Sequence, residues 1–313
     1  MDSNLVPRIR CKIPYPTYFI SHGAPTIIQE TNDNLATLEA IKSLKTIGST
    51  ITNDLKPDYI IVVSAHYQSS SRNLIEISIN KDTDHENKLV YDFYGFDRSF
   101  YTQKFESRSN VMVGCMLYDQ LKKNGFEAKI FDRGIDHGVW CPLKVMFGEK
   151  LDIPLIQVSL PYSEDFDESY KLGKTLKFFR DNLIWDETSK SDLKGLVIAS
   201  GSSVHNLRDF RLYSSNNRLP YVDKFHKLID ETFQKSSPLT ILENLKNFKK
   251  DSNYKQLLYQ AHPTLEHFLP LVVAAGTDDG KNEFNKISSS GVLALGYGYY
   301  QFGTWDEPKK QEV

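Results

Sequence analysis

Short apolar runs recur along the chain, each followed by a stretch with helical spacing. Tyr59-Ile60-Ile61-Val62-Val63 runs without a polar interruption into Ser64, Ala65 and His66, which predicts a strand buried on both faces at the centre of a parallel sheet. Tyr18-Phe19-Ile20 leads in the same way into Ser21-His22-Gly23, and Leu196 to Ala199 leads through Ser200-Gly201-Ser202-Ser203-Val204 into His205. Residues 128–131 and 154–160 predict further strands, and the alternation over 74–79 predicts one nearer the sheet edge.

Between these runs, Leu35, Leu38, Ile41, Leu44 and Ile47 predict a helix over 34–51, with Asn32 and Asp33 as caps and Lys56-Pro57 as its stop. Residues 111–124 predict another, with Val111, Cys115, Tyr118 and Leu121 on one side and Gly125 at its end. Pro142 is expected to open a short helix, and 170–183 forms the next. From 212 to 260 the strand signal lapses into charged helical segments, where His226 reads as a surface or half-buried helix residue. Thr264 can cap a helix that carries His267 in its first turn and runs apolar through 271–275, and 291–302 supplies a closing strand. Alternating strands and helices give an α/β class with a mostly parallel central sheet flanked by helices. No linker or repeat divides the chain, so residues 1–313 are expected to form a single domain with a helical elaboration at about 212–260.

Composition narrows the partners. There are 38 basic and 40 acidic residues and no Lys/Arg cluster interleaved with aromatics, which argues against nucleic acid. No apolar run approaches the roughly 20 residues that span a bilayer, and the amino terminus lacks the apolar core of a signal peptide. A soluble protein of the cytoplasm is expected, with the nucleus left open and the oligomeric state undetermined. Three cysteines, Cys11, Cys115 and Cys141, form no C-x-x-C pair and fit a reducing compartment. Cys141 lies near His137 but reads as a small core residue.

The candidate chemistry lies in the histidines. Three of the eight, His22, His66 and His205, follow strand-like runs, and ligands of open α/β sheets collect beyond the carboxyl ends of the strands. His22, His66 and His267 form a set able to converge on one cation, with His205 and His137 left beside it as bases. The competing reading is five separately buried histidines. In 91–96, YDFYGF, the aromatics fit either a binding wall or plain core.

Seven segments in order carry a resemblance: FISHGAP at 19–25, VVSAHY at 62–67, YDFYGF at 91–96, GIDHGVW at 134–140, PLIQVSL at 154–160, ASGSSVHNL at 199–207 and HPTLEHFLPL at 262–271. The chain resembles the class III extradiol ring-cleaving dioxygenases, in particular their DOPA 4,5-dioxygenase branch, over nearly its whole length. The resemblance implies that His22, His66 and His267 hold one divalent metal per chain, at the carboxyl ends of the strands. It implies that His205 is an acid/base residue, which in some relatives lies close enough to count as a ligand, and that His137 is a second pocket histidine. His262 is kept apart as a residue behind the site or at the helix entry. Tyr94, Phe96 and His137 are expected to meet substrate. The implied partners are a catecholic small molecule and dioxygen, with iron(II) expected for activity and zinc in purified protein. The segment reads Val90-Tyr91-Asp92 where several relatives have histidine before the aspartate, and Asp97 stands where proline is common, which bears on substrate identity. Two other classes remain at this level: a zinc hydrolase using the same three histidines, and a non-catalytic metal-binding descendant.

Overall fold

The computed structural model describes residues 9–29, 34–82, 85–213, 217–277 and 283–305. In chain order its elements are β1 (Ile9–Arg10), β2 (Thr17–Ser21), α1 (Leu35–Thr50), β3 (Tyr59–Gln68), β4 (Leu74–Ser78), α2 (Val111–Lys123), β5 (Glu127–Phe131), α3 (His137–Phe147), β6 (Leu155–Leu160), α4 (Phe166–Asp181), β7 (Asn182–Asp186), β8 (Ser191–Leu193) and β9 (Gly195–Gly201). There follow β10 (Val204–His205), α5 (Leu207–Leu212), α6 (Pro220–Lys235), α7 (Ile241–Lys250), α8 (Ser252–Ala261), α9 (Leu269–Gly276), β11 (Phe284–Val292) and β12 (Leu295–Phe302).

The main sheet runs β10-β12-β2-β9-β3-β6-β4-β5, with β11 paired to β12, while β1, β7 and β8 form a small separate sheet. Its centre, β2-β9-β3-β6, is parallel. Antiparallel pairs flank it, β12 on β2 at one side and β4 on β6 at the other. The continuous apolar runs at the centre reflect burial on both faces. Ile61, Val63, Val197 and Ala199 join a core with α2, α4 and α6 to α9, whereas Ile60, Val62, Leu196 and Ile198 join a second core with α1 and α3. Each valine, leucine or isoleucine side chain among them contributes about 1.5–3 kcal/mol on burial, and together they fix the strand ends to which the histidines are attached.

Several boundaries differ from the sequence reading. Asn34 caps α1, its side chain accepting from the N–H groups of Ala36 and Thr37; Asn32 and Asp33 lie outside the described residues. On α2 the buried face is Val113, Gly114, Met116, Leu117 and Leu121, and Cys115 is exposed. The helix expected to open at Pro142 begins at His137, with Pro142 inside it. The missing N–H is tolerated because the Ser200 hydroxyl reaches the Gly138 carbonyl that it would have served. Thr264 caps nothing: its hydroxyl bonds Glu266, and α9 starts only at Leu269, so His267 lies in the turn before the helix. The closing strand is half of a hairpin, since β11 returns antiparallel to β12 through a turn with Leu293 at φ 51°.

His226 is not a surface residue. It is 4% exposed, with Nε2 2.7 Å from Ser203 Oγ, and His262 donates from Nε2 to the Ser203 carbonyl at 2.9 Å. Burial holds both imidazoles neutral and lowers each to about 3. An unfolded histidine titrates near about 6.5, so between that pH and about 3 the unfolded chain binds more protons. Their contribution to stability is therefore complete above the window and is lost as the pH falls through it. The urea midpoint should drop on acidification from about pH 7 to about pH 5, and His226→Gln should flatten that drop. An identical pH slope in the variant would contradict this.

Candidate metal centre

The central strands and the elements beside them deliver five imidazoles to one place. β2 runs straight into His22, whose N–H donates to the Gly201 carbonyl of β9 at 3.0 Å. His66 lies on β3 within the stretch between Val63 and Gln68 over which its register with β6 shifts. The chain leaving β9 reaches His205 through β10, which is held by its pairing with β12. The loop before α9 is seated on the end of β9, where the His267 carbonyl accepts the N–H of Ser202 at 2.9 Å. A Cβ on Gly201 would stand 2.4 Å from that carbonyl oxygen, so only glycine permits the approach.

His137 begins α3. The turn before it is anchored by the buried Asp136 carboxylate, which accepts from Ser64 Oγ at 2.7 Å, from Arg133 at 3.0 Å and from the Gln157 amide. Arg133 also donates to the His66 carbonyl at 3.1 Å. Gly138 lets the helix start press on β3, since a Cβ there would meet His66 Cδ2 at 2.9 Å.

Within this frame His22 Nε2 lies 3.2 Å from His66 Nε2, and His66 Nε2 lies 3.3 Å from His267 Nε2. The outward nitrogens decide where the protons are. His267 Nδ1 meets Glu266 Oε1 at 3.1 Å, and His66 Nδ1 faces Asp92 Oδ2 at 3.3 Å. An ionised carboxylate only accepts, so His267 carries its hydrogen on Nδ1 and turns a bare Nε2 lone pair inward, and the charge of Asp92 beside Nδ1 favours the same tautomer in His66. Two bare lone pairs at this separation repel unless a cation lies between them. Nitrogens bound at about 2.0–2.1 Å to one tetrahedral ion stand about 3.3 Å apart. His22, His66 and His267 thus fit a divalent cation by distance and by donor chemistry, and they also form one of the groups of metal-type side chains within mutual reach. Burial is the main cause lowering all three imidazoles well below their ordinary range, with neighbouring histidines adding to it, so the rings are unprotonated at neutral pH, the form in which an imidazole can bind a cation.

The other two histidines border this set. The His205 ring stacks on that of His267, with centroids 3.5 Å apart and planes 11° from parallel. Burial, then the proximity of His137, lowers it to about 4. The His137 ring is 3.9 Å from that of His66, and its Nδ1 lies 2.9 Å from Asp92 Oδ1. Asp92 therefore serves two rings at once, one with each oxygen. Burial alone would raise this carboxyl, but the hydrogen bond from His137 and the pull of both imidazoles outweigh it and bring it down to about 2.

Asp92, Glu266 and Ser200, which lies 3.0 Å from His22 Nδ1, were not singled out in the sequence. Two of them had a signal: Glu266 adjoins His267, Asp92 sits in the aromatic segment, and carboxylates are usual partners for the outer nitrogen of a metal-type histidine. Of the aromatic segment, Phe93 stands edge-on to His137 at 5.5 Å and Phe96 packs behind it at 5.4 Å, whereas Tyr94 is 89% exposed. His262 lies behind β10, against Ser203. Cys141 is buried in the core and its thiol is pushed well up by burial, so it offers no thiolate.

Comparison with known proteins shows the family and the fold. The chain is 30% identical over 279 residues to the 4,5-DOPA dioxygenase extradiol-like protein of Schizosaccharomyces pombe, covering 83% of this chain and 84% of that one. It is 31% identical over 292 residues to the 4,5-DOPA dioxygenase extradiol of Beta vulgaris, covering 91% and 96%. A crystal structure of an uncharacterised Escherichia coli K12 protein shares the fold, with a TM-score of 0.68 at 22% identity over 92% of this chain and all of that one. No helix among the described residues is long and apolar enough to cross a membrane. Residues 16–300 match the family of the catalytic LigB subunit of aromatic ring-opening dioxygenase, and the chain belongs to that family.

Proposed function

We propose that this chain opens the ring of a small catechol of the DOPA kind next to its diol, inserting both atoms of dioxygen, with His22, His66 and His267 holding one iron(II) ion. The observation that carries the reading is the meeting of bare imidazole nitrogens, with two further imidazoles beside them, in a chain of the ring-opening family. Iron(II) bound there would supply Lewis acidity towards a phenolic oxygen and a common meeting place for catechol and dioxygen. Zinc outranks iron(II) for nitrogen ligands, so purified protein is expected to contain zinc and to be inert towards oxygen in that form.

The protein's own part is the handling of protons and the exclusion of water. His205, neutral at pH 7, can take a phenolic proton on its side of the ring. His137 has its Nδ1 hydrogen engaged by Asp92, so Nε2 is its basic atom. When that nitrogen takes a proton, the ionised Asp92 offsets the new charge, and the same imidazole can return the proton as the ring opens. Phe93 and Phe96 form an apolar wall against His137, and the Tyr101 hydroxyl pins the wall through the Phe93 carbonyl at 3.2 Å. Tyr94, at the exposed tip of the segment, would meet a substrate only at the mouth.

Protein reconstituted anaerobically with iron(II) should consume oxygen when a catechol is added, forming a yellow product that carries both atoms of labelled dioxygen; zinc-loaded protein should not. Silence across a panel of simple and amino-acid catechols would end this reading. His205→Ala should retain metal and lose turnover by about 10²-fold or more, while His267→Ala should lose the metal itself. Asp92→Asn, which presents an N–H to one ring, should lower both metal affinity and turnover by about 10-fold or more. A variant with normal metal content and normal rate would remove Asp92 from the site.

A further inference from the structure

Pro142 occupies the interior of α3 and has no N–H to offer the carbonyl of Gly138, one turn back. That carbonyl is served instead from the sheet: Ser200 of β9, fully buried, donates its hydroxyl hydrogen to Gly138 O. A serine hydroxyl has a single hydrogen. Towards His22 Nδ1, 3.0 Å away, the same oxygen can therefore only accept. The hydrogen of His22 must then sit on Nδ1, which leaves Nε2 bare where it faces His66 Nε2 at 3.2 Å.

We propose that Ser200 is a positioning residue which, directed by Pro142, fixes the tautomer of His22 for metal binding. The inference rests on the reading of His22 as a ligand and supplies the piece that reading lacks. His66 and His267 have carboxylates beside their outer nitrogens, whereas His22 has only a hydroxyl. Left to itself, a hydroxyl next to an imidazole can donate or accept, so either tautomer would be satisfied. The helix carbonyl exposed by Pro142 takes the donor away and leaves one answer.

The register of the sheet places this contact beside a second one. Ser200 is level with Ser64 on the neighbouring β3, and Ser64 donates to Asp136 while Ser200 donates to Gly138. Two serines on adjacent strands thus hold the first turn of α3, which carries His137. The position of one base and the protonation of one ligand are set by the same turn. His22 is 2% exposed, so bulk water cannot replace the lost acceptor if the hydroxyl is removed.

The test uses full-length protein with histidine-selective ¹⁵N labelling in the metal-free state, together with zinc affinity from chelator competition. Wild-type His22 should show one tautomer, hydrogen on Nδ1. Ser200→Ala should shift the population towards hydrogen on Nε2 and weaken zinc by about 10–100-fold, with Ser200→Thr restoring both. Pro142→Ala returns an N–H to the Gly138 carbonyl and removes no atom of the site. It frees the Ser200 hydrogen for His22 and should move both readouts in the same direction by less; should Ser200→Ala fail to fold, this variant decides. An unchanged tautomer and unchanged zinc affinity in the folded variants would overturn the role of Ser200 while leaving His22 a ligand. Wild-type protein that takes up no zinc would instead overturn the reading of His22 on which the inference rests.

Discussion

In the arrangement proposed here, imidazole nitrogens that carry no hydrogen lie 3.2 and 3.3 Å from one another, an approach they do not make of their own accord. Each presents a lone pair to the next, and each has been taken out of water. The hydrogen bonds and packing around His22, His66 and His267 are what hold this unfavourable arrangement together. Burial that lowers the pKa of each ring removes the simplest relief, protonation. With the hydrogens held on the outer nitrogens, as proposed, what remains as relief is a cation, and the fold can be understood as the means of making that the only one.

The parallel centre of the sheet supplies the rigidity. β2, β9 and β3 are neighbours, apolar on both faces, and sandwiched between two cores. Their carboxyl ends cannot move apart without opening one core or the other. His22 and His66 extend from two of these strands, and the third ends at Gly201, where the His267 carbonyl presses against a residue with no side chain. Residues separated by most of the chain are therefore set against one another by strand register and one close backbone contact. Donor atoms attached to such strands keep their spacing when the loops around them move.

The central strands and three of the five histidines, His22, His66 and His205, could be read in the sequence because both rest on local pattern. Apolar β-branched runs predict buried strands, and a histidine at the end of such a run is conspicuous. What could not be read depends on contacts between distant segments. Pro142 looked like a helix start because proline usually is one; that it sits inside α3 depends on a hydroxyl 58 positions further on. His226 looked exposed because its helix is charged, and its partner Ser203 belongs to the connection between β9 and β10. Asp92 lay in a segment already noticed for its aromatics, yet its role comes from touching two histidines that are themselves far apart in sequence. Tyr94 and Phe93 are adjacent in sequence and face opposite ways, a difference that composition cannot express.

The placement of the negative charges has a chemical consequence. Iron oxygenases commonly bind their metal through two histidines and a carboxylate, so that one anion sits directly on the ion. In the arrangement proposed for this chain the inner donors are neutral imidazoles, and carboxylates stand behind two of them: Glu266 is bonded to the outer nitrogen of His267, and Asp92 faces that of His66. Charge reaches the centre only through the rings, as an increase in the basicity of the inner nitrogen. An ion so held keeps more of its double charge for a ligand from outside, and a catechol binding as an anion is that kind of ligand. The same carboxylates stay available to balance hydrogens carried by imidazoles, as Asp92 does beside His137. A site of the proposed kind would combine a strongly electrophilic centre with bases that are not consumed in making it.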